Sequence, residues 1–98
     1  PIRRFVVADR SMEPTLVAGQ GLVGLRWWPA REGQLRCVEH PERPGFWLVK
    51  RVASVAAHGT MRVTSDNRGV PTVDSRQFGA VPVPGTYRVI VRIPLRWM

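Results

Sequence analysis

The chain has 98 residues, of which 44% are hydrophobic, and its formal net charge at pH 7 is +8. This length predicts a single domain, residues 1–98, with one modest core. No run approaches the roughly 18 apolar residues of a membrane helix, and no signal peptide is evident. We therefore expect either a cytoplasmic protein or, if an N-terminal anchor was removed, a membrane-associated one.

Cysteine and histidine are scarce in this sequence. Cys37 has no partner for a disulfide within the chain and is expected to be a small buried hydrophobe. His40 and His58 lie in segments rich in turn-forming Pro and Gly. No spacing of a metal-ligand set is present, so we predict neither a metal site nor a cofactor.

Short apolar runs separated by turn residues predict a series of β-strands. In chain order the runs cover residues 5–8, 21–25, 34–38, 47–55, 61–64, 80–83 and 87–92. The fourth and fifth runs are expected to pair across Ala57-His58-Gly59. Nine prolines and nine glycines leave little room for a normal helix, and a weak helical period occurs only at 12–16. The predicted fold class is mainly β, with a closed or coiled sheet.

The stretch RSMEPTL, residues 10–16, places a serine in a turn directly after the first apolar run. A serine hydroxyl is a poor nucleophile until a base takes its proton. Neither histidine has a convincing setting for that task. A neutral lysine is the alternative base in acyl-transfer enzymes.

The balance of basic residues singles out Lys50, because the chain has fourteen arginines and one lysine. Arginine can supply positive charge, but only lysine can lose its proton in a protein. Lys50 lies in the apolar segment WLVKRV, where burial would favour the neutral amine. Ser11 and Lys50 are therefore candidates for a nucleophile and its general base.

At these residues the sequence resembles the type I signal peptidase family, which are serine endopeptidases with a Ser-Lys dyad. SMEPTL is similar to the nucleophile box and implies that Ser11 is the nucleophile. VKRV is similar to the box that carries the general base, here Lys50. SDNRGVPTVDSRQFGAV, residues 65–81, is similar to the last box. The three boxes occur in the order that the family has.

The resemblance also implies supporting roles in the last box. Thr72 matches a serine whose hydroxyl contacts the lysine amine. Asp74 and Arg76 match an ion pair that braces the site, and Asp66 and Asn67 match the Asp-Asn pair of a structural turn.

Two positions depart from the family pattern. Ser65 replaces a common glycine, and its Cβ is expected to narrow the site. Asp9 stands two residues before Ser11, where many members carry a serine that helps to bind the oxyanion. An ionised carboxylate cannot donate a hydrogen bond, so we expect that Asp9 points away or that the Ser11 N–H and an unnamed donor form the hole.

By this resemblance the fold has coiled antiparallel sheets of the signal-peptidase and SOS-repressor protease type. The short chain looks more like the compact relatives, which include the short proteases associated with maturation of nickel-type superoxide dismutase and the mitochondrial inner-membrane peptidases. The implied function is removal of a leader or propeptide from a protein substrate, with cleavage after small residues. The extended substrate would add as a strand, against shallow pockets lined by Val7, Ala8, Leu48 and Val49.

Two other functions remain open from the sequence. A self-cleaving regulator would need a DNA-binding region and a scissile segment, and neither is expected in the ten residues before Ser11. A non-catalytic basic module could bind nucleic acid or an anionic membrane, with Trp27-Trp28 as a stacking or interfacial element. We expect a peptide substrate as the main partner, leave a membrane surface open, and expect no specific nucleic acid.

Overall fold

The computed structural model of the chain describes residues 1–26, 29–71 and 73–98. These residues form one antiparallel sheet with seven strands, namely β1 (Ile2–Val6), β2 (Gly21–Leu25), β3 (Leu35–Glu39), β4 (Trp47–Val55), β5 (Thr60–Thr64), β6 (Val81–Pro82) and β7 (Tyr87–Ile93). A four-residue helix, α1 (Ser75–Phe78), precedes β6, and a 3₁₀ turn covers Leu95–Trp97. The predicted mainly β class is confirmed. Trp27, Trp28 and Thr72 lie outside the described residues.

The strand order is β1-β2-β7-β3-β4-β5-β6. Within the described ranges β1 and β6 do not pair with each other, so the sheet is open in its hydrogen bonding. No helix in these ranges is long and apolar enough to cross a membrane.

The predicted strand boundaries hold best where turn residues lie on both sides of a run. β2 and β4 have the predicted bounds, and β4 pairs with β5 across the expected turn, with Val55 opposite Met61. The first strand instead covers Ile2–Val6, because its arginines face solvent and give no apolar signal. Val7 follows the strand, and its N–H donates to Gln20 O at 2.9 Å.

The sheet buries apolar side chains on both faces. In β3, Leu35 and Cys37 belong to one buried cluster and Val38 to the other, as expected when successive side chains of a strand alternate. Four of the five residues of β3 are buried, so this strand is protected from water on both faces.

Three aromatic rings join the strand before Ser11 to the strand that carries Lys50. Phe5, Trp47 and Tyr87 have ring centroids 5.4 to 5.7 Å apart in tilted and edge-to-face arrangements, the geometry that aromatic pairs prefer. Gly24 allows this approach, because a Cβ there would come within 2.7 Å of the Tyr87 Cβ. The guanidinium of Arg3 lies over Trp47, 4.7 Å from the ring centroid.

Candidate active site

Ser11 occupies a tight turn that the core anchors directly. The next residue, Met12, and Leu16 are fully buried in the cluster on one face of the sheet. The Leu16 N–H donates to Met12 O at 3.0 Å, which closes a single helical turn. The weak helical period at 12–16 reflects this turn. Ser11 is 5% exposed and faces a cleft.

The segment after β5 holds the Ser11 turn from the other side. The Asn67 N–H donates to Ser11 O at 2.8 Å, and Asn67 Nδ2 donates to Arg10 O at 2.9 Å. Asp66 accepts from Thr15 Oγ1 at 2.6 Å and from Arg51. The matched Asp-Asn pair thus binds the backbone and side chains on both sides of the candidate nucleophile.

Lys50 lies on β4 with its side chain 1% exposed. Its Nζ is 3.1 Å from Ser11 Oγ and 2.8 Å from Ser65 Oγ. The structure therefore brings together two residues that are 39 positions apart in sequence, at a distance suited to proton transfer.

Burial lowers the pKa of Lys50, because an apolar environment disfavours the charged amine. The carboxylates of Asp9 and Asp74 act in the opposite direction, and the guanidinium of Arg76 adds to the lowering. The net result is a pKa below the ordinary value for lysine. A depressed pKa increases the fraction of neutral amine that can accept a proton.

The hydroxyl that contacts the amine belongs to Ser65, which sequence reasoning treated only as a narrowing of the site. Thr72, to which the resemblance assigns this contact, lies outside the described residues. Arg51 is opposite Thr64 in the antiparallel β4–β5 ladder. One further step in the same register, back along β4 and past the end of β5, places Ser65 opposite Lys50. The sequence did contain a signal for this contact. Ser65 supplies a hydroxyl where signal peptidases commonly have glycine, and it lies one residue after β5, which pairs with β4.

Asp74 connects this hydroxyl-bearing segment to α1. The fully buried carboxylate accepts from the Ser65 N–H at 3.1 Å and caps the helix by accepting from the Arg76 N–H at 2.9 Å. The Arg76 guanidinium forms an ion pair with it at 3.0 Å but is largely exposed. Burial raises the pKa of Asp74, yet the hydrogen bonds from Arg76 and Ser65 outweigh burial and hold it below its usual range.

The expectation that Asp9 points away is wrong, since its carboxylate points toward the backbone of the candidate nucleophile. Asp9 Oδ1 accepts the Ser11 backbone N–H at 3.0 Å. Burial raises the pKa of Asp9, but hydrogen bonds from Ser11 and the nearby charge of Lys50 lower it below its ordinary value. The Ser11 N–H is therefore already engaged by an anion.

A cleft of about 70 Å³ runs between the segment before Ser11 and the first half of β4. Its lining includes the candidate dyad and all four predicted substrate-contact residues, Val7, Ala8, Leu48 and Val49. Val7 and Leu48 are buried, Ala8 is exposed, and Val49 is intermediate. The structure thus brings these four residues to one apolar cleft beside Ser11.

Backbone groups on both walls of the cleft are free of strand partners. β1 pairs with β2 on one side, and among the described strands nothing pairs with its other side. Residues 47–50 of β4 pair with β3, whereas pairing with β5 starts only at Arg51. An extended peptide could hydrogen-bond to either free edge.

Other reactive side chains do not compete for this role. Burial raises the pKa of the Cys37 thiol, which also lines the cleft, to about 12, so the thiol stays protonated and unreactive at neutral pH. Neither His40 nor His58 is among the described residues that line the cleft. Across the same described residues, no three His, Cys, Asp or Glu side chains form a group that could hold a metal ion.

The chain matches no protein-family model, and no curated protein is significantly similar to it in sequence.

Proposed function

We propose that this protein is a serine endopeptidase that uses Ser11 as nucleophile and Lys50 as general base. The observation that carries the proposal is the 3.1 Å approach of the Lys50 amine to the Ser11 hydroxyl inside the fold. Ser65 orients the amine from a second direction at 2.8 Å. The resemblance of the three sequence boxes to type I signal peptidases supports the same reading.

Catalysis would proceed through an acyl-enzyme. Neutral Lys50 Nζ accepts the proton of Ser11 Oγ as the oxygen bonds to the peptide carbonyl carbon. When the tetrahedral intermediate collapses, the C–N bond breaks and Lys50 gives its proton to the leaving amine. Water then attacks the ester while Lys50 takes a proton from it, and that proton returns to Ser11 Oγ as the acyl C–O bond breaks.

The cleft favours a substrate with small residues at the cut. Most of the described residues that line it are apolar, and none of them is charged besides the Asp9–Lys50 pair at the nucleophile. We therefore propose cleavage after small residues in an extended leader or propeptide, held by main-chain hydrogen bonds. The large positive charge leaves an anionic membrane surface as a further partner class.

The competing function, a non-catalytic basic binding module, gives no reason for the buried lysine. Such a module works through exposed cations, whereas Lys50 is removed from water and surrounded by hydroxyls. Burying an amine costs stability that a surface-binding role does not return.

The test is cleavage of a mixed peptide library, with the cut sites mapped by mass spectrometry. Ser11→Ala should abolish cleavage, and exposed Ser54 on β4 offers a matched serine control in Ser54→Ala. An acyl-enzyme should be visible by intact mass with an activated ester of an alanine-ended peptide, and only when Ser11 is present. A preference for bulky or charged residues before the cut would contradict the substrate class, and equal turnover by Ser11→Ala would contradict the enzyme.

A further inference from the structure

The Asp9 carboxylate contacts the backbone of the candidate nucleophile. Asp9 Oδ1 lies 3.0 Å from the Ser11 backbone nitrogen, whose N–H it accepts. A carboxylate that accepts the N–H two residues later forms an Asx-turn. The Asp9 residue is largely exposed, so its side chain can rotate into water without opening the core.

This contact occupies a group that acyl transfer needs. The carbonyl oxygen becomes an anion in the tetrahedral intermediate, and serine hydrolases stabilise it with preorganised donors that include the N–H of the nucleophile. An Asp9 oxygen on that N–H stands where the substrate oxygen would have to bind. Its negative charge also repels the developing oxyanion.

Building on the proposed peptidase function, we propose that Asp9 is a gate on the oxyanion site, which holds the free enzyme in a closed state until substrate displaces the carboxylate from the Ser11 N–H. The gate opens when the Asp9 side chain rotates toward solvent. The peptide carbonyl then takes over the same hydrogen bond.

The same carboxylate also disfavours the active form of the base. Four factors set the pKa of Lys50, namely burial, the charges of Asp9 and Asp74, and the charge of Arg76. Of the two carboxylates, Asp74 is buried and fixed by its cap and ion pair, whereas Asp9 is exposed and lines the cleft. When the Asp9 carboxylate moves away, the Ser11 N–H becomes available to the substrate. The pKa of Lys50 also falls, so the amine loses its proton more easily.

A purely structural role for Asp9 makes a different prediction from a gate. Asparagine forms the same Asx-turn as aspartate, so for a turn residue Asp9→Asn only shifts the acid limb of the pH profile, through the lost charge near Lys50, and leaves the rate at high pH, where Lys50 is neutral, unchanged. A neutral amide binds the N–H more weakly than a carboxylate does and removes the charge near Lys50. A gate therefore predicts that Asp9→Asn also increases the rate at high pH, where Lys50 is already neutral.

The experiment compares Asp9→Asn, Asp9→Ala and Asp9→Ser with the wild type and with Glu13→Gln. Glu13 is a neighbouring carboxylate that pairs with Arg10 at 3.2 Å, so its variant loses one charge without touching the Ser11 N–H. The measurement is kcat/KM for a small-residue peptide across pH, on variants whose fold is checked by circular dichroism. The gate predicts that all three Asp9 variants are faster, with Asp9→Ser the fastest because its hydroxyl can donate.

The expected gain is about tenfold or more for Asp9→Ser, since one oxyanion donor is worth about 10²–10³ in kcat. The acid limb of the pH profile should also move to lower pH in Asp9→Asn, because loss of the carboxylate lowers the pKa of Lys50. Glu13→Gln should follow the wild-type profile. Equal rates for Asp9→Asn and wild type at high pH, with slower Asp9→Ala and Asp9→Ser, would overturn the gate and leave a turn residue.

A spectroscopic readout separates the gate from the peptidase itself. In the wild type, the ¹H–¹⁵N signal of the Ser11 amide should titrate with the Asp9 carboxyl, and this titration should vanish in Asp9→Ala but persist in Glu13→Gln. A Ser11 amide that does not respond to Asp9 overturns the gate even in an active enzyme. No turnover in the wild type and all Asp9 variants would instead remove the proposed function, and the gate with it.

Discussion

Arg36 and Lys50 are cross-strand partners in β3 and β4, and the side chains are 0% and 1% exposed. Both cations meet hydroxyl or amide oxygens. Arg36 donates to Thr86 Oγ1 at 3.0 Å and to Gln34 Oε1 at 3.2 Å, whereas Lys50 lies between Ser11 and Ser65. Burial lowers the pKa of both groups.

The difference between the two sites is chemical. A guanidinium keeps its proton at any useful pH even when its pKa is lowered, so Arg36 acts as a fixed donor that ties β3 to the segment before β7. A lysine with a lowered pKa can become neutral and accept a proton. The same degree of burial therefore gives a structural cation in one case and a candidate base in the other.

Exchanging the two residue types should give the largest effect. Lys50→Arg keeps charge and length but cannot accept the Ser11 proton, so we expect turnover to fall by about 10²–10⁴. Arg36→Lys should keep activity and lose stability, because it loses the fork of donors to Thr86 and Gln34. Peptide turnover with circular dichroism checks both variants. A folded Lys50→Arg protein with a tenth of wild-type activity would contradict the dyad.

Removing the hydroxyl that orients Lys50 should have a smaller effect. In Ser65→Ala the amine loses its 2.8 Å partner, and a hydrogen bond to a charged or ionisable group is worth about 1.5–3 kcal/mol. We therefore expect kcat to fall by about 10- to 100-fold, with KM little changed. Ser54→Ala, on the exposed part of β4, is the control. A Ser65→Ala enzyme with wild-type kcat would show that the amine is oriented by other groups.

Asp74 should affect stability and activity together. Asp74→Ala removes the cap of α1, worth about 1 kcal/mol, and leaves the buried Ser65 N–H without its acceptor, at about 1–3 kcal/mol. We expect a loss of about 2–4 kcal/mol in the free energy of unfolding. Arg76→Ala, which removes a mostly exposed partner, should cost less. Denaturant titration measures both losses, and an unchanged stability with lost turnover would indicate a direct catalytic role for Asp74.

The depressed pKa of Asp74 also fixes the sign of a pH effect. Its contribution to stability is complete above the unfolded pKa of about 3.9 and disappears as pH falls through the lower folded pKa. The difference in stability between wild type and Asp74→Ala should therefore shrink on acidification below about pH 4. A constant difference across that range would contradict the assigned pKa direction.

The smallest expected effect is a gain in stability. Lys50→Met removes a buried amine, and replacing buried charges with apolar groups is often neutral or stabilising by about 1–4 kcal/mol. We expect about 1 kcal/mol of added stability at pH 7, at the low end because the amine has two hydroxyl partners. The folded pKa is depressed, so the wild type gains stability as pH rises from that value toward about 10.4. Thermal unfolding measured at several pH values should show that the stability advantage of Lys50→Met over the wild type becomes smaller as pH rises.

Sequence reasoning located the strands and the dyad candidates better than their surroundings. β2 and β4 were predicted at their bounds because the turn residues that flank them give strong local signals. β1 was misplaced because an edge strand with exposed arginines has no apolar pattern. Helix α1 was missed because its four residues depend on the Asp74–Gln77 capping box rather than on a helical period.

Residue type and local order are enough to predict the mainly β class, the single lysine in an apolar strand and the serine in a turn after an apolar run. Which groups meet depends on the tertiary fold. The pairing of β4 with β5 brings Ser65 to the amine, and the Asx-turn aims Asp9 at the Ser11 N–H. Such contacts depend on strand register and side-chain direction, which long-range packing sets and a local pattern does not contain.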